Sequence, residues 1–339
     1  MRRFPTVNET TKPKCKNTLI RTGNASSLGG SFFPDMSEQT FSELVPEGVI
    51  GFPVTPFHGD YCLHLEGFRS NLEFMLEEPF TTFVAAGGTG EMYSLARDEY
   101  ISIVNAAVEV AGGTVPVIAG VGYGSRIALN MATEAAKAGV SALLILPPYY
   151  PNAAFEGLLA YCKAIGNATV LPLLIYTRDW VNLNPEQAEH LADEVPTLAA
   201  WKDGQGDLRN YQRIRARLGD RLTWVGGVGD DLVGGYYGIG IRRFTSSISA
   251  VAPKLSILLH EAGASRDEST LNELTDRHVL PLYELRTRTK GYEVSAMKAL
   301  LDLRGMAGGP VRPPLLDLKT EERHELQAIL DGWAEAKFL

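Results

Sequence analysis

The sequence predicts a (β/α)8 TIM barrel carrying a C-terminal helical extension. Short, nearly continuous apolar runs recur eight times between Val49 and Ser246, and amphipathic stretches with helical periodicity separate them. Strands of that composition, alternating with helices, form a parallel sheet covered on both faces. The chain of 339 residues accommodates a barrel of about 250 residues with a remainder.

In order, Val49 to Val54 reads as the first strand and Leu65 to Leu76 as its helix, with Leu65, Phe68, Leu72, Met75 and Leu76 on one stripe. Thr82 to Ala86 and Arg97 to Val110 form the second unit, Val115 to Ala119 and Arg126 to Ala138 the third, Ala142 to Leu146 and Ala154 to Ile165 the fourth. Leu171 to Tyr176 pairs with Pro185 to Glu194, Leu198 to Lys202 with Leu208 to Arg217, and Leu222 to Val225 with Asp231 to Gly238. Arg242 to Ser246 is the eighth strand. Eight such units favour a closed barrel over an open doubly wound sheet. The barrel is expected over residues 46–254, and residues 255–339 read as the helical extension, with the turn-rich Gly308-Gly309-Pro310-Val311-Arg312-Pro313-Pro314 inside it.

Residues 1–45 differ in composition. Met1 to Gly30 is rich in Ser, Thr and Asn, holds six Lys or Arg, and has Glu9 as its one acid; such a segment buries little and reads as a disordered extension. An organelle transit peptide and a natural start at Met36 are the alternative readings. A net charge of −8 argues against a general nucleic-acid or anionic-membrane partner. No apolar run reaches the roughly 18 residues of a membrane span. Cys15, Cys62 and Cys162 are odd in number and follow no metal-ligand spacing, which favours a reducing, cytoplasmic compartment and no metal.

Chemistry in a barrel of this kind sits at the carboxyl ends of the strands. The sixth strand ends in Ala200-Trp201-Lys202-Asp203-Gly204. Strand alternation sets Lys202 on the face of Ala200 and Trp201 on the other. A lysine confined inside a barrel loses charge and becomes an amine nucleophile toward carbonyls; a lysine emerging into water at a strand end is the plain alternative. Gly87-Gly88-Thr89-Gly90-Glu91 after the second strand offers backbone N–H groups to an anion such as a carboxylate. It lacks the G-x-G-x-x-G spacing of a dinucleotide loop, as does Gly120-Val121-Gly122-Tyr123-Gly124 after the third. Pro147-Pro148-Tyr149-Tyr150 and Tyr176-Thr177-Arg178-Asp179 bring tyrosines to the same end, as site residues or as rim packing.

The ordered set Gly87-Gly88-Thr89-Gly90-Glu91, Pro148-Tyr149-Tyr150, Tyr176 and Lys202 resembles the dihydrodipicolinate synthase/N-acetylneuraminate lyase superfamily of Schiff-base barrels, from about Gly48 through Pro253. Within it, Gly51-Phe52-Pro53-Val54-Thr55-Pro56-Phe57, Gly87-Gly88, Tyr176-Thr177-Arg178-Asp179, Phe244-Thr245-Ser246-Ser247 and Lys290-Gly291-Tyr292-Glu293-Val294-Ser295 are most similar to its decarboxylating sugar-acid dehydratases. The resemblance implies a small-molecule 2-keto sugar diacid as substrate, Lys202 as imine-forming nucleophile, Tyr176 as acid/base, and no metal or organic cofactor. Gly88 and Thr89 are expected at the carboxylate beside the ketone. Ser246, Ser247 and Arg178 are expected at the distal carboxylate, with Thr55 and Tyr150 as further substrate contacts. Arg178 paired with Asp179 as structure is the competing reading. A homo-oligomer, dimer or tetramer, goes with the resemblance.

The chain departs from the pattern after the seventh strand, where Gly227-Val228-Gly229-Asp230-Asp231 replaces a Gly-x-Pro-Thr-Ala-Glu loop, at Tyr150, and at Ser247-Ile248-Ser249-Ala250. An aldolase or synthase using the same imine, and a keto-acid-binding barrel without turnover, stand as the alternative functions. Glu91 is expected to brace its loop and Arg312 to dock the C-terminal segment, and none of the six histidines is assigned to catalysis.

Overall fold

The computed structural model describes residues 40–150 and 152–339; the readings of the N-terminal extension lie outside them. Eight parallel strands, β1 (Gly48–Gly51), β2 (Thr82–Ala85), β3 (Val117–Val121), β4 (Ala142–Ile145), β5 (Leu173–Thr177), β6 (Leu198–Asp203), β7 (Thr223–Val225) and β8 (Arg243–Ser246), stand in the order β7-β6-β5-β4-β3-β2-β1-β8. A parallel bridge between Gly226 and Phe244 joins the two end strands, with Gly226 N donating to Arg243 O and Thr245 N to Gly226 O, both at 2.8 Å. The expected barrel is therefore present. Its strands are buried on both faces, as their apolar composition requires.

Three strand boundaries differ from expectation for one reason. Pro53, Pro116 and Pro172 fall inside the apolar runs read as strands, and a proline has no N–H for the ladder. Accordingly β1 stops at Gly51, β3 begins at Val117 and β5 at Leu173. The helices that follow the first six strands cover Leu65–Met75, Arg97–Ala111, Ser125–Ala138, Phe155–Ala168, Pro185–Glu194 and Leu208–Leu218. After β7 the expected helix opens with a 3-10 turn, Asp230–Leu232, and is α-helical over Val233–Gly238.

The helix after β8 is Pro253–Ser265, so the unit that completes the barrel runs past residue 254, where the extension was expected to begin. Glu268–Leu274, a π-helical turn at Thr275–Val279, Leu280–Arg286, Tyr292–Leu303 and Thr320–Glu335 follow. Trp333 Nε1 donates to His278 O at 3.0 Å and Tyr292 Oη to Glu322 Oε2 at 2.8 Å, tying these helices together. They reach back to the barrel through Lys298, whose Nζ is 2.6 Å from Glu91 Oε1 with the two side chains 1% and 0% exposed.

Among the described residues no helix is long and apolar enough to cross a membrane. Cys162 is a free, buried thiol, whereas Cys62 is disulfide-bonded. The odd cysteine count therefore lends no support to a reducing compartment.

Candidate active site

A cavity of about 810 Å³ opens at the carboxyl ends of the strands. Lys202 lies at its base, 2% exposed. Alternation along β6 turns Lys202 inward and Trp201 outward, where Trp201 Nε1 donates to Thr177 Oγ1 at 3.2 Å. Tyr176 is the direct register partner of Lys202 on β5, so the two side chains leave adjacent strands toward the same face. Lys202 Nζ sits 3.2 Å from the centroid of the Tyr176 ring and 5.4 Å from that of Phe52. It donates to Gly227 O at 2.9 Å, and the Tyr176 hydroxyl reaches the same oxygen at 3.4 Å.

Only a glycine lets that carbonyl come so close. A β-carbon at position 227 would stand 2.2 Å from Asp203 O and 2.4 Å from Lys202 Cγ. The Gly227 turn is itself held by Tyr236, whose hydroxyl accepts from Gly227 N and Val228 N, both at 3.2 Å, and donates to Asp203 Oδ2 at 2.8 Å. Asp203 Oδ1 and Oδ2 also accept from Gln205 N and Gly206 N. The buried carboxylate beside the lysine thus shapes the turn that receives the lysine.

Burial pushes the Lys202 ammonium far below the ordinary lysine value, and the nearby Arg178 charge pushes it the same way, against the pull of Asp203. The neutral amine is the nucleophilic form. Burial raises the Tyr176 phenol, with Arg178 pulling against it, so near neutral pH Tyr176 holds its proton and can give it.

Gly88 and Thr89 also line the cavity. Among the described residues their backbone N–H groups have no partner, which leaves them for an anion. The loop is strained at its two ends, where Ala86 and Glu91 have φ of 49° and 50°. Glu91 braces it as expected. One carboxylate oxygen takes Lys298 Nζ and the other accepts from Arg312 N at 3.1 Å. Arg312 docks the C-terminal segment as expected, gripping Glu99 with both guanidinium nitrogens at 2.6 and 2.5 Å.

The remaining expected contacts divide. Arg178 and Ser247 line the cavity. Arg178 Nε is paired with Asp179 Oδ2 at 3.0 Å, yet its Nη1 lies 3.6 Å from where a β-carbon on Gly88 would be, on the Gly88 side of the cavity. Ser246 reaches the cavity, but its hydroxyl is engaged with Ser256 Oγ at 2.7 Å and accepts from Ser249 N at 3.0 Å. Thr55 is buried with its hydroxyl donated to Gly90 O at 2.7 Å, so it supports the loop of residues 87–91 and is not part of the cavity lining. Tyr150 stands 77% exposed and is not among the residues that line the cavity. Periodicity and strand-end position did not reveal Phe52, the Gly227 carbonyl, Arg286 or Lys290, all of which line the cavity. The last two come from beyond the barrel, where no strand-end rule applies.

A buried amine at the end of a barrel strand, packed on a tyrosine of the neighbouring strand and facing an amide-lined loop, defines a barrel enzyme that forms an imine with carbonyl substrates. The chain belongs to the dihydrodipicolinate synthetase family, whose pattern matches residues 45–332. It is 38% identical over 87% of its length to a probable 5-dehydro-4-deoxyglucarate dehydratase of Bradyrhizobium diazoefficiens, covering 95% of that protein. To a protein of the same description from Ectopseudomonas mendocina it is 36% identical over 88% of its length, covering 99% of that chain. Among solved structures, dihydrodipicolinate synthase from Oceanobacillus iheyensis superposes with a TM-score of 0.81 at 25% identity, over 87% of this chain and 98% of that one.

Proposed function

We propose that the protein dehydrates and decarboxylates 5-dehydro-4-deoxyglucarate to 2,5-dioxopentanoate, releasing water and CO2. The observation that carries this reading is the buried Lys202 amine, whose protonation burial opposes, set on Tyr176 and Gly227 O in a cavity lined by Arg178, Arg286, Lys290 and Arg312 against Glu91, Asp179 and Glu293, an excess of cations suited to an anionic substrate. The names of the relatives point to the same substrate.

Lys202 Nζ adds to the ketone carbon, and Tyr176 gives its proton to the departing oxygen, which leaves as water. The resulting protonated imine withdraws electrons, so the adjacent CH2 loses a proton, with the Tyr176 phenolate as the base within reach. The enamine electrons expel the hydroxide on the next carbon, which takes up a proton. The conjugated imine then accepts the electron pair of the bond to the distal carboxylate as CO2 departs. Protonation and hydrolysis by the water released in imine formation restore the amine and free the keto aldehyde, so one water is lost overall.

Incubation with 5-dehydro-4-deoxyglucarate, followed by carbon NMR, tests this: CO2 and 2,5-dioxopentanoate are expected, while release of pyruvate would transfer the protein to the aldolases. Borohydride reduction during turnover should add the substrate skeleton to the Lys202 peptide. Self-association belongs to the same reading, supported by the exposed Tyr149 and Tyr150, and light scattering tests it. A cytoplasmic site of keto-acid catabolism accompanies it, to be checked by fractionation of the native host.

A further inference from the structure

Arg286 ends the helix Leu280–Arg286, outside the barrel strands, yet its side chain forms part of the cavity wall beside Gly229 and Ser247. Its Nη1 donates to Ser247 Oγ at 2.9 Å. The guanidinium lies over the Tyr283 ring at 4.4 Å, and the Tyr283 hydroxyl is anchored by donating to Asp230 Oδ2 at 2.9 Å while accepting from Asp230 N at 2.6 Å. A stacked, hydrogen-bonded guanidinium has lost most of its freedom before any ligand arrives, which lowers the cost of binding one. Among the described residues Arg286 forms no ion pair, whereas Arg178 is paired with Asp179 and Arg312 with Glu99. The Asp230 and Asp231 carboxyls feel its charge only at longer range, and burial keeps both above the ordinary carboxylate value.

Of the three arginines that line the cavity, Arg178 and Arg286 stand at different elements. Arg178 reaches over Gly88, where the carboxylate beside the ketone is read to bind. Arg286 and Ser247 stand at the end of β8.

We infer that Arg286, held by Ser247 and Tyr283, anchors the substrate carboxylate distal to the imine carbon and so selects dicarboxylate over monocarboxylate keto acids. This rests on the dehydratase reading above. The anchored group is the one lost as CO2. Its negative charge passes into the conjugated imine as the bond breaks, so the ion pair is strongest in the ground state and fades toward the transition state. Losing such an interaction raises KM without lowering kcat, and raises kcat as well where CO2 loss limits turnover. It also ends with the reaction, because 2,5-dioxopentanoate has no second carboxylate for Arg286, which favours product release.

The test compares KM and kcat for 5-dehydro-4-deoxyglucarate, and the inhibition constant of 2,5-dioxopentanoate, in the wild-type enzyme, Arg286→Met and Arg286→Lys. The expected result for Arg286→Met is KM raised about 10–100-fold, as for loss of one charge-assisted hydrogen bond, with kcat unchanged or raised and product inhibition unchanged. Arg286→Lys, keeping the charge without the fork, should fall between. An unchanged KM in both variants, or a fall in kcat at constant KM, overturns the inference. If Arg286→Met also loses product binding, the residue holds the fold, and the Arg286→Lys result decides by the same criterion. A wild-type enzyme that neither turns over the diacid nor traps it on Lys202 overturns the dehydratase reading instead.

Discussion

Lys202 and Tyr176 converge on one carbonyl, Gly227 O, at 2.9 and 3.4 Å. The register of β5 against β6 pairs their α-carbons, and a turn without a β-carbon brings the acceptor to both. Nucleophile and proton donor are thus oriented by the sheet and one turn, before substrate enters.

Lys202→Met should abolish borohydride trapping while raising thermal stability, because burial of the amine opposes its protonation at the expense of folding. Between its depressed folded value and the ordinary value of about 10.4, the unfolded lysine binds a proton that the folded one does not. Stability of the wild type therefore rises with pH across that window. The stability gap between variant and wild type should be widest below the depressed value and narrow as pH approaches about 10, which melting curves across pH will measure.

Tyr176→Phe keeps the ring beneath Lys202 and removes the proton. A fall in kcat of about 10²–10⁴ is expected, with slower but measurable imine trapping. Undiminished kcat would exclude Tyr176 from proton transfer.

Arg178→Ala should raise KM for both the diacid and monocarboxylate keto acids, since its Nη1 lies beside Gly88. It should also move the pH profile of trapping upward, because the Arg178 charge helps to depress Lys202 and its loss means a higher pH is needed for the free amine. Initial trapping rates against pH read both effects.

Lys298→Met leaves the Glu91 carboxylate buried at 0% exposure without its cation. A loss of about 3–5 kcal/mol is expected, and the double variant Glu91→Leu/Lys298→Met should recover much of it, because replacing both charges removes the uncompensated one. Denaturant unfolding of the wild type, both single variants and the double variant checks the cycle.

Tyr236→Phe strips one hydrogen bond from Asp203 and the acceptor from two amides of the Gly227 turn. About 1–3 kcal/mol of stability should go, together with a fall in kcat larger than the rise in KM, since the displaced carbonyl orients both catalytic groups. Equal changes in kcat for Tyr236→Phe and for a destabilised surface variant would argue against this positioning role.

The sequence by itself determined the barrel, its strand order, the inward face of Lys202, the tyrosine beside it and the amide-rich loop after the second strand. These are readable because alternation and helical periodicity act over a few residues, and because glycine and lysine at strand ends have local chemical meaning. Tertiary structure alone decided the rest. It turned Thr55 into a support for the carboxylate loop, left Tyr150 exposed, engaged the Ser246 hydroxyl with Ser256, and carried Arg178 toward Gly88. It also brought Arg286 and Lys298 back from beyond the barrel to the cavity wall and the loop brace. Contacts across some 40 to 200 positions, such as Ser247 with Arg286 and Glu91 with Lys298, depend on how helices pack, and no spacing rule along the chain encodes them.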